Sequence, residues 1–342
     1  MKTIRLAQVT FCPISSRRPH LSIGGFVAAA FFLLTAHCSQ LTLQAQTPDP
    51  VETIRIDTDL VNLNVSVFNR NASPTAVPLE QKDFAVFENG APQEILFFAS
   101  GETPFDLVLL LDLSGSTSEK IGLIRKSSKR FVDAAPSADR IAILTFTSDI
   151  QVVSRLSSDH KNLKKSIDDI ERPIGGTNFW DALRFVLEHV LGQSRAENRR
   201  SAVIVMTDGV DNALPGVFGD GSHTSFEDLL KIVQRSDAVV LPIYLDTEKE
   251  VDKRGLLKEA YALAREQLAM LAAESGNLIY QARKVKDLEG VYERVMRDLS
   301  TVYSIGYRPA NSVRDGSWRG ITVQLPGHPE LAVRAKRGYY GK

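Results

Sequence analysis

Two uninterrupted apolar runs each lead to an aspartate: Leu107–Leu111 runs into Asp112, and Ala202–Met206 runs through Thr207 into Asp208. A strand that is apolar on both faces must be covered on both faces, which is the situation of a parallel sheet between layers of helix. The chain around these runs alternates accordingly. Phe105–Leu113 reads as a strand, and 119–134 as a helix, with Ile121, Ile124, Phe131 and Val132 at helical spacing. Ile141–Phe146 and Gln151–Leu156 read as a hairpin, followed by helices over Asp159–Ile170 and Phe179–Leu191. After the second apolar run come a helix over Ser225–Ser236, a strand over Ala238–Leu245, a helix over Leu257–Ser275, a strand over Asn277–Ala282 and a helix over Val285–Ser300. The expected fold class is α/β: a doubly wound, mainly parallel six-stranded sheet with helices on both faces. Right-handed crossovers bring the carboxyl ends of the parallel strands to one edge, where open sheets of this kind keep their sites. The first and fourth strands are neighbours in a doubly wound order, so Asp112 and Asp208 are expected at one crevice.

Ser114 and Ser116 follow Asp112 in "DLSGSTS", so the crevice collects two carboxylates and several hydroxyls. Donors that are all oxygen suit a hard divalent ion (Mg2+, Mn2+ or Ca2+) and disfavour zinc and copper. Each residue also has a plainer use, because Asp and Ser are common helix caps and turn formers. His160, His189 and His223 lack metal-ligand spacing, and Glu119 and Asp181 read as first-turn acids of helices. Asp211 reads equally as a support for Asp208 or as a solvated loop residue.

Taken together, Asp112, Ser114 and Ser116 in DxSxS, Thr177 in "GGTNFWDAL" and Asp208 in "TDGVDN" are similar to the three-part metal-ion-dependent adhesion site of von Willebrand factor type A domains. The resemblance spans about 200 residues, with strands and helices in the matching order. It implies a Mg2+-type ion (Mg2+, or Mn2+ or Ca2+) held by Ser114, Ser116 and Thr177, with Asp112 and Asp208 bound directly or through water. It also implies a protein partner that completes the coordination with an Asp or Glu carboxylate. The freedom of the Gly175-Gly176 backbone is expected to let the Thr177 hydroxyl approach the ion.

The flanks are of a different kind. Residues 1–22 carry four basic residues and no acidic one, and Ile23–Thr35 is an uncharged apolar run, the pattern of a secretory signal. The run is too short for a spanning helix of about 20 residues. The expected division is a signal peptide at 1–45, an N-terminal β segment at 46–102, the α/β domain at 103–300 and a C-terminal β segment at 301–342. Ser16-Arg17-Arg18 leaves twin-arginine export open beside the general secretory route. Both cysteines, Cys12 and Cys38, fall in the leader, so disulfides are not expected. The N-terminal segment reads as an alternating strand near Leu60–Val67, then strands Phe84–Glu88 and Gln93–Phe98 joined across Asn89-Gly90. The C-terminal segment reads as three more strands in "VYSIGYRP", "WRGITVQLP" and "LAVRAKRGYY". Each flank is too short for its own core, so the two are expected to pair into one β-sandwich, 301–342 with 51–100, with the α/β domain inserted between the halves. "DFAVFENGAPQEI" before the domain and "KRGYYGK" after it resemble one bacterial subset of these proteins.

Several function classes are disfavoured. Acidic and basic residues balance at 41 each, and without the four basic residues of the leader they stand at 41 against 37, which does not suit nucleic acid or an anionic membrane. There is no GxSxG nucleophile elbow and no GxxxxGKS phosphate loop, and the edge has too few carboxylates and histidines for a two-metal hydrolase. The expectation is a secreted or periplasmic, non-enzymatic module that binds a protein through a metal ion and has no stable membrane anchor after cleavage. A purely structural ion and a metal-dependent hydrolase are the alternatives, and a switch that moves the helix at Val285–Ser300 is a further one.

Overall fold

The computed structural model describes residues 60–341 except 71–77, 101–102, 118–119, 172–174, 193–198, 252–254 and 283–284. The expected leader lies outside the described residues. Among them no helix is long and apolar enough to cross a membrane.

At the centre is a six-stranded sheet ordered β10-β9-β8-β5-β6-β7. Its strands are β5 (Phe105–Asp112), β6 (Arg140–Phe146), β7 (Ile150–Ser157), β8 (Arg200–Thr207), β9 (Ala238–Leu245) and β10 (Tyr280–Ala282). All pairings are parallel except β6 with β7, which form the expected hairpin. Every residue of β5 is buried. Leu107, Leu109 and Leu111 face one helical layer, with α1 (Ile121–Ala134), α2 (His160–Asp168) and α7 (Val285–Ser300); Val108 and Leu110 face the other, with α3 (Phe179–Phe185), α4 (Phe226–Arg235) and α6 (Lys258–Glu274). This two-sided burial is why the strand reads as a continuous apolar run. A π-helical turn over Val186–Leu191 extends α3, and a one-turn helix α5 (Glu248–Val251) stands in the charged stretch after β9.

The flanks make two four-stranded antiparallel sheets enclosing a third core, which includes Leu63, Val65, Phe84, Ile305, Tyr307 and Val323. One contains β1 (Val61–Asn69), β4 (Ile95–Ala99), β11 (Val302–Tyr307) and β13 (Leu331–Arg334), in the order β13-β1-β11-β4. The other contains β2 (Ala85–Glu88), β3 (Ala91–Gln93), β12 (Trp318–Gln324) and β14 (Gly338–Tyr340), in the order β14-β12-β2-β3. In both, strands from before and after the α/β domain pair with each other, as the sandwich expectation requires. β11 begins two residues after α7 ends and pairs with β4, Ser304 opposite Ala99, so the chain leaves and re-enters the sandwich on adjacent strands.

Two strand expectations need correction. Asn89 and Gly90 do form the turn, both with positive φ (48° and 81°), but the strand opposite β2 is only Ala91–Gln93. At Glu94 the chain changes sheets, and Ile95–Ala99 pairs with β11 instead. The run expected as one strand over "LAVRAKRGYY" likewise divides around Ala335–Arg337 into β13, which pairs with β1, and β14, which pairs with β12. Corner strands that serve both sheets close a small sandwich, and their alternation runs through the corner without a break.

Candidate metal centre

Asp112 and Asp208 leave adjacent strands at the same edge, one residue past the Leu111–Met206 pairing on β5 and two residues past it on β8. Both are fully buried, at 0% exposure. Asp112 is held from its own loop and from the end of β8: its Oδ1 accepts from the Ser114 N–H (2.9 Å) and its Oδ2 from the Thr207 hydroxyl (2.5 Å). Thr117 closes the loop beneath by donating to the Asp112 carbonyl at 2.8 Å. The Ser114 and Ser116 hydroxyls lie 3.2 Å apart, and Ser116 in turn hydrogen-bonds Asp208. Asp208 Oδ1 accepts from the Val210 N–H (3.1 Å), and Oδ2 from the Thr247 hydroxyl (2.6 Å).

The Thr177 loop joins through Asn212, whose Oδ1 accepts from the Thr177 N–H (3.1 Å) and whose own N–H donates to the Thr177 carbonyl (2.9 Å). A methyl group added at Gly115 would stand 4.0 Å from the Gly175 carbonyl oxygen, so the Thr177 and DxSxS loops abut. Thr177 is buried, at 5% exposure, and is held through its backbone. The structure thus brings the three segments holding Asp112, Ser114, Ser116, Thr177 and Asp208 to one edge.

The glycine pair works differently from the expectation. Neither Gly175 nor Gly176 has positive φ. A Cβ would meet the Thr147 side chain at 2.8 Å from Gly175 and the Asn212 amide at 2.5 Å from Gly176, so both positions need the absence of a side chain rather than a special backbone angle. Gly209 needs both: its φ is 75°, and a Cβ there would lie 2.8 Å from Leu268.

Burial and the neighbouring Asp208 charge push the Asp112 carboxyl up to about 7. Asp208 is raised too, chiefly by burial, with the hydrogen bonds from Ser116, Thr247 and Val210 acting the other way. Among the described residues neither carboxylate forms a salt bridge. The other end of β5 shows what this chain does elsewhere with a buried aspartate. Asp106, 1% exposed, takes Nε and an Nη of Arg140 at 2.8 and 2.7 Å, and Arg199 Nε at 2.7 Å. Two buried, mutually repelling carboxylates beside two serine hydroxyls, with the Thr177 loop abutting them, fit a hard divalent cation as their counter-charge. Among the described residues no three His, Cys, Asp or Glu gather as an alternative site.

The sequence reading did not find the supporting layer. Asp211, left open above, is fully buried and accepts from the Trp180, Ala213 and Ser222 N–H groups and the Ser222 hydroxyl, tying the Asp208 loop to the start of α3. Thr207 directly precedes Asp208 and could have been suspected. Thr247 opens the charged "TEKEVDKRG" stretch and gives no such signal, yet it is fully buried and bridges Asp208 to the Tyr261 hydroxyl (2.9 Å) on α6. Partners of this kind orient ligands, and their loss commonly costs ten- to a hundredfold in metal affinity. Thr247→Val is therefore expected to weaken Mg2+ binding about tenfold in a calorimetric titration, with Thr247→Ser restoring it; unchanged binding in the valine variant would remove Thr247 from the site.

The doubly wound sheet with an oxygen-donor crevice at its switch point defines a class of α/β binding domains. The von Willebrand factor type A domain profile matches residues 106–294, and the chain belongs to that family. No curated protein matches. Among solved structures, proximal thread matrix protein 1 from the mussel byssus is similar at 17% identity and TM-score 0.46, over 62% of this chain and 50% of that one. A form of it with a zinc-occupied metal-ion-dependent adhesion site is similar at 20% identity and TM-score 0.46, over 62% and 49%. The von Willebrand factor domain of the type V pili tip protein Mfa5 from Porphyromonas gingivalis is similar at 13% identity and TM-score 0.42, over 56% and 95%. The chain spans about half the length of the mussel protein it matches.

Proposed function

We propose that this protein is an extracytoplasmic binding module that holds one Mg2+-type ion through Asp112, Ser114, Ser116, Thr177 and Asp208 and takes an Asp or Glu carboxylate of a protein partner at that ion. The contrast along β5 carries the proposal: Asp106 is neutralised by two arginines, while Asp112 and its neighbour Asp208 form no salt bridge among the described residues and Asp208 feels only the charge of Lys120 nearby. When bound, a divalent ion supplies the missing positive charge and an electrophilic point for a carboxylate. The chain's own residues do the rest. Thr207 and the Ser114 N–H fix Asp112, Thr247 and Val210 fix Asp208, and Asn212 fixes the Thr177 backbone. The two carboxylates balance the charge of the ion without exceeding it and the other three ligands are neutral hydroxyls, so a partner carboxylate meets the cation rather than an excess of negative charge. Binding is favoured over catalysis because no described histidine hydrogen-bonds the Ser114, Ser116 or Thr177 hydroxyl to activate it. The paired flanks support the α/β domain at 103–300 and a sandwich made of the segments on either side, while the leader ending near Ala45 rests on the basic and apolar pattern of residues 1–35.

The test compares wild type with Asp112→Ala, reading Mg2+ by calorimetry and partner retention from the envelope fraction with and without chelator. Wild type is expected to bind one Mg2+ and release its partner on chelation, and the variant to lose both while staying folded. Equal Mg2+ binding by the two proteins would end the proposal. Partner retention that survives chelation, with Mg2+ still bound by wild type, would make the ion structural.

A further inference from the structure

Phe218 is 94% exposed, the most exposed large apolar side chain among the described residues, and it stands on the loop that follows Asp208. The loop is firmly built. Asp211 takes four hydrogen bonds at its base, Gly216 and Gly219 hold positive φ, and a Cβ at Gly221 would sit 2.0 Å from the Ala213 nitrogen. The fold therefore holds the Phe218 backbone in place while leaving its ring in water, and a single anchored aromatic is a common core element of protein interfaces.

Its backbone is tied to the Thr177 backbone by one side chain. The Asn212 amide accepts from the Thr177 N–H at 3.1 Å and donates to the Phe218 carbonyl at 3.1 Å. An amide group is only about 2.5 Å across, so those two backbone atoms lie within about 9 Å of each other. A Cβ at Gly176 would lie 2.5 Å from the Asn212 Nδ2, and one at Gly219 would lie 2.6 Å from it, so both loops close on this residue. An extended peptide advances about 3.3 Å per residue, so this separation of the two backbones corresponds to about three residues of a bound strand.

Resting on the function proposed above, we infer that Phe218 is a specificity residue that selects partners carrying a bulky apolar side chain within about three residues of the metal-bound Asp or Glu. The carboxylate supplies the charge-dependent contact and the apolar neighbour covers the ring. Burying such a pair contributes enough for roughly a tenfold preference over a polar neighbour.

The test is an array of short acetylated peptides with one fixed Asp and all other positions varied, probed with the full chain in Mg2+. Wild type is expected to require the Asp and to favour Leu, Phe or Trp near it roughly tenfold. Phe218→Ser is expected to keep the Asp requirement and Mg2+ affinity but lose the apolar preference, while Val313→Ser, an exposed apolar residue of the sandwich, changes nothing. An unaltered preference in Phe218→Ser overturns the role of Phe218 alone. Binding that ignores chelator, or that accepts Asn for Asp, overturns the metal reading instead. An array on which wild type binds no more than Asp112→Ala counts against both.

Discussion

Metal-free protein is expected to lose stability as the pH rises from about 5 to about 8, and Mg2+ is expected to return it. The sign follows from the carboxylate pair. In the fold the Asp112 carboxyl is raised to about 7 by burial and by Asp208, against an ordinary value of 3.8. Between those two values the folded state binds more protons than the unfolded chain, so stability falls with rising pH. It levels off once the folded group has ionised. Raising the carboxyl that far corresponds to a few kcal/mol, shared between the two carboxylates. Mg2+ binds the ionised pair, so its stabilising effect is expected to be small near pH 5 and large near pH 8, about 2.7 kcal/mol at a hundred times the dissociation constant. Thermal midpoints measured across this range with chelator and with Mg2+ check both parts. Asp139, also raised by burial, contributes with the same sign, so the decisive quantity is the difference between wild type and Asp112→Asn. A variant whose curve stays as steep as that of wild type would show that the pair is not the source.

The parts of the fold visible in the sequence are those in which one physical demand governs many residues. Complete burial of β5 and β8 requires continuous apolar runs, and the neighbouring amphipathic helices then fix the layers, so the sheet order and the shared edge of Asp112 and Asp208 follow. The hairpin at Asn89-Gly90 was legible because positive φ at two successive positions admits few residues. The sheet changes at Glu94 and at Ala335–Arg337 were not, because alternation persists through a corner and only tertiary pairing shows which sheet each half joins. Within the site, the resemblance named oxygen donors from three segments. The layer behind them escaped it. Thr247 is separated from Asp208 by a strand and a helix in sequence, and a threonine beside Glu, Lys and Asp looks solvated until the packing of α6 buries it. The glycines were identified for the wrong reason: Gly175 and Gly176 are required by close packing, which a sequence cannot show, rather than by φ.

The two ends of β5 give the sharpest contrast of expected effects. Asp106 and Asp112 are the same residue type, on the same strand, equally buried. Removing Asp106 leaves the guanidinium groups of Arg140 and Arg199 beside a closed sheet end without the carboxylate that receives three of their hydrogen bonds. Losing one member of such a buried pair costs about 3–5 kcal/mol, and because the Arg140 side chain retains 31% of its exposure, Asp106→Ala is expected near the lower end. Asp112→Asn in metal-free protein does the opposite. It removes one of two repelling charges while its amide oxygen still accepts from the Ser114 N–H, and its NH2 can donate to the Thr207 hydroxyl oxygen. That variant is expected to be as stable as wild type or more so at pH 7 in chelator, and to gain nothing from Mg2+. Denaturant midpoints of the three proteins, with and without Mg2+, separate the cases. A loss of stability in Asp112→Asn as large as that in Asp106→Ala would mean that Asp112 is held by the fold as an ordinary structural acid, and the metal edge would lose its main support.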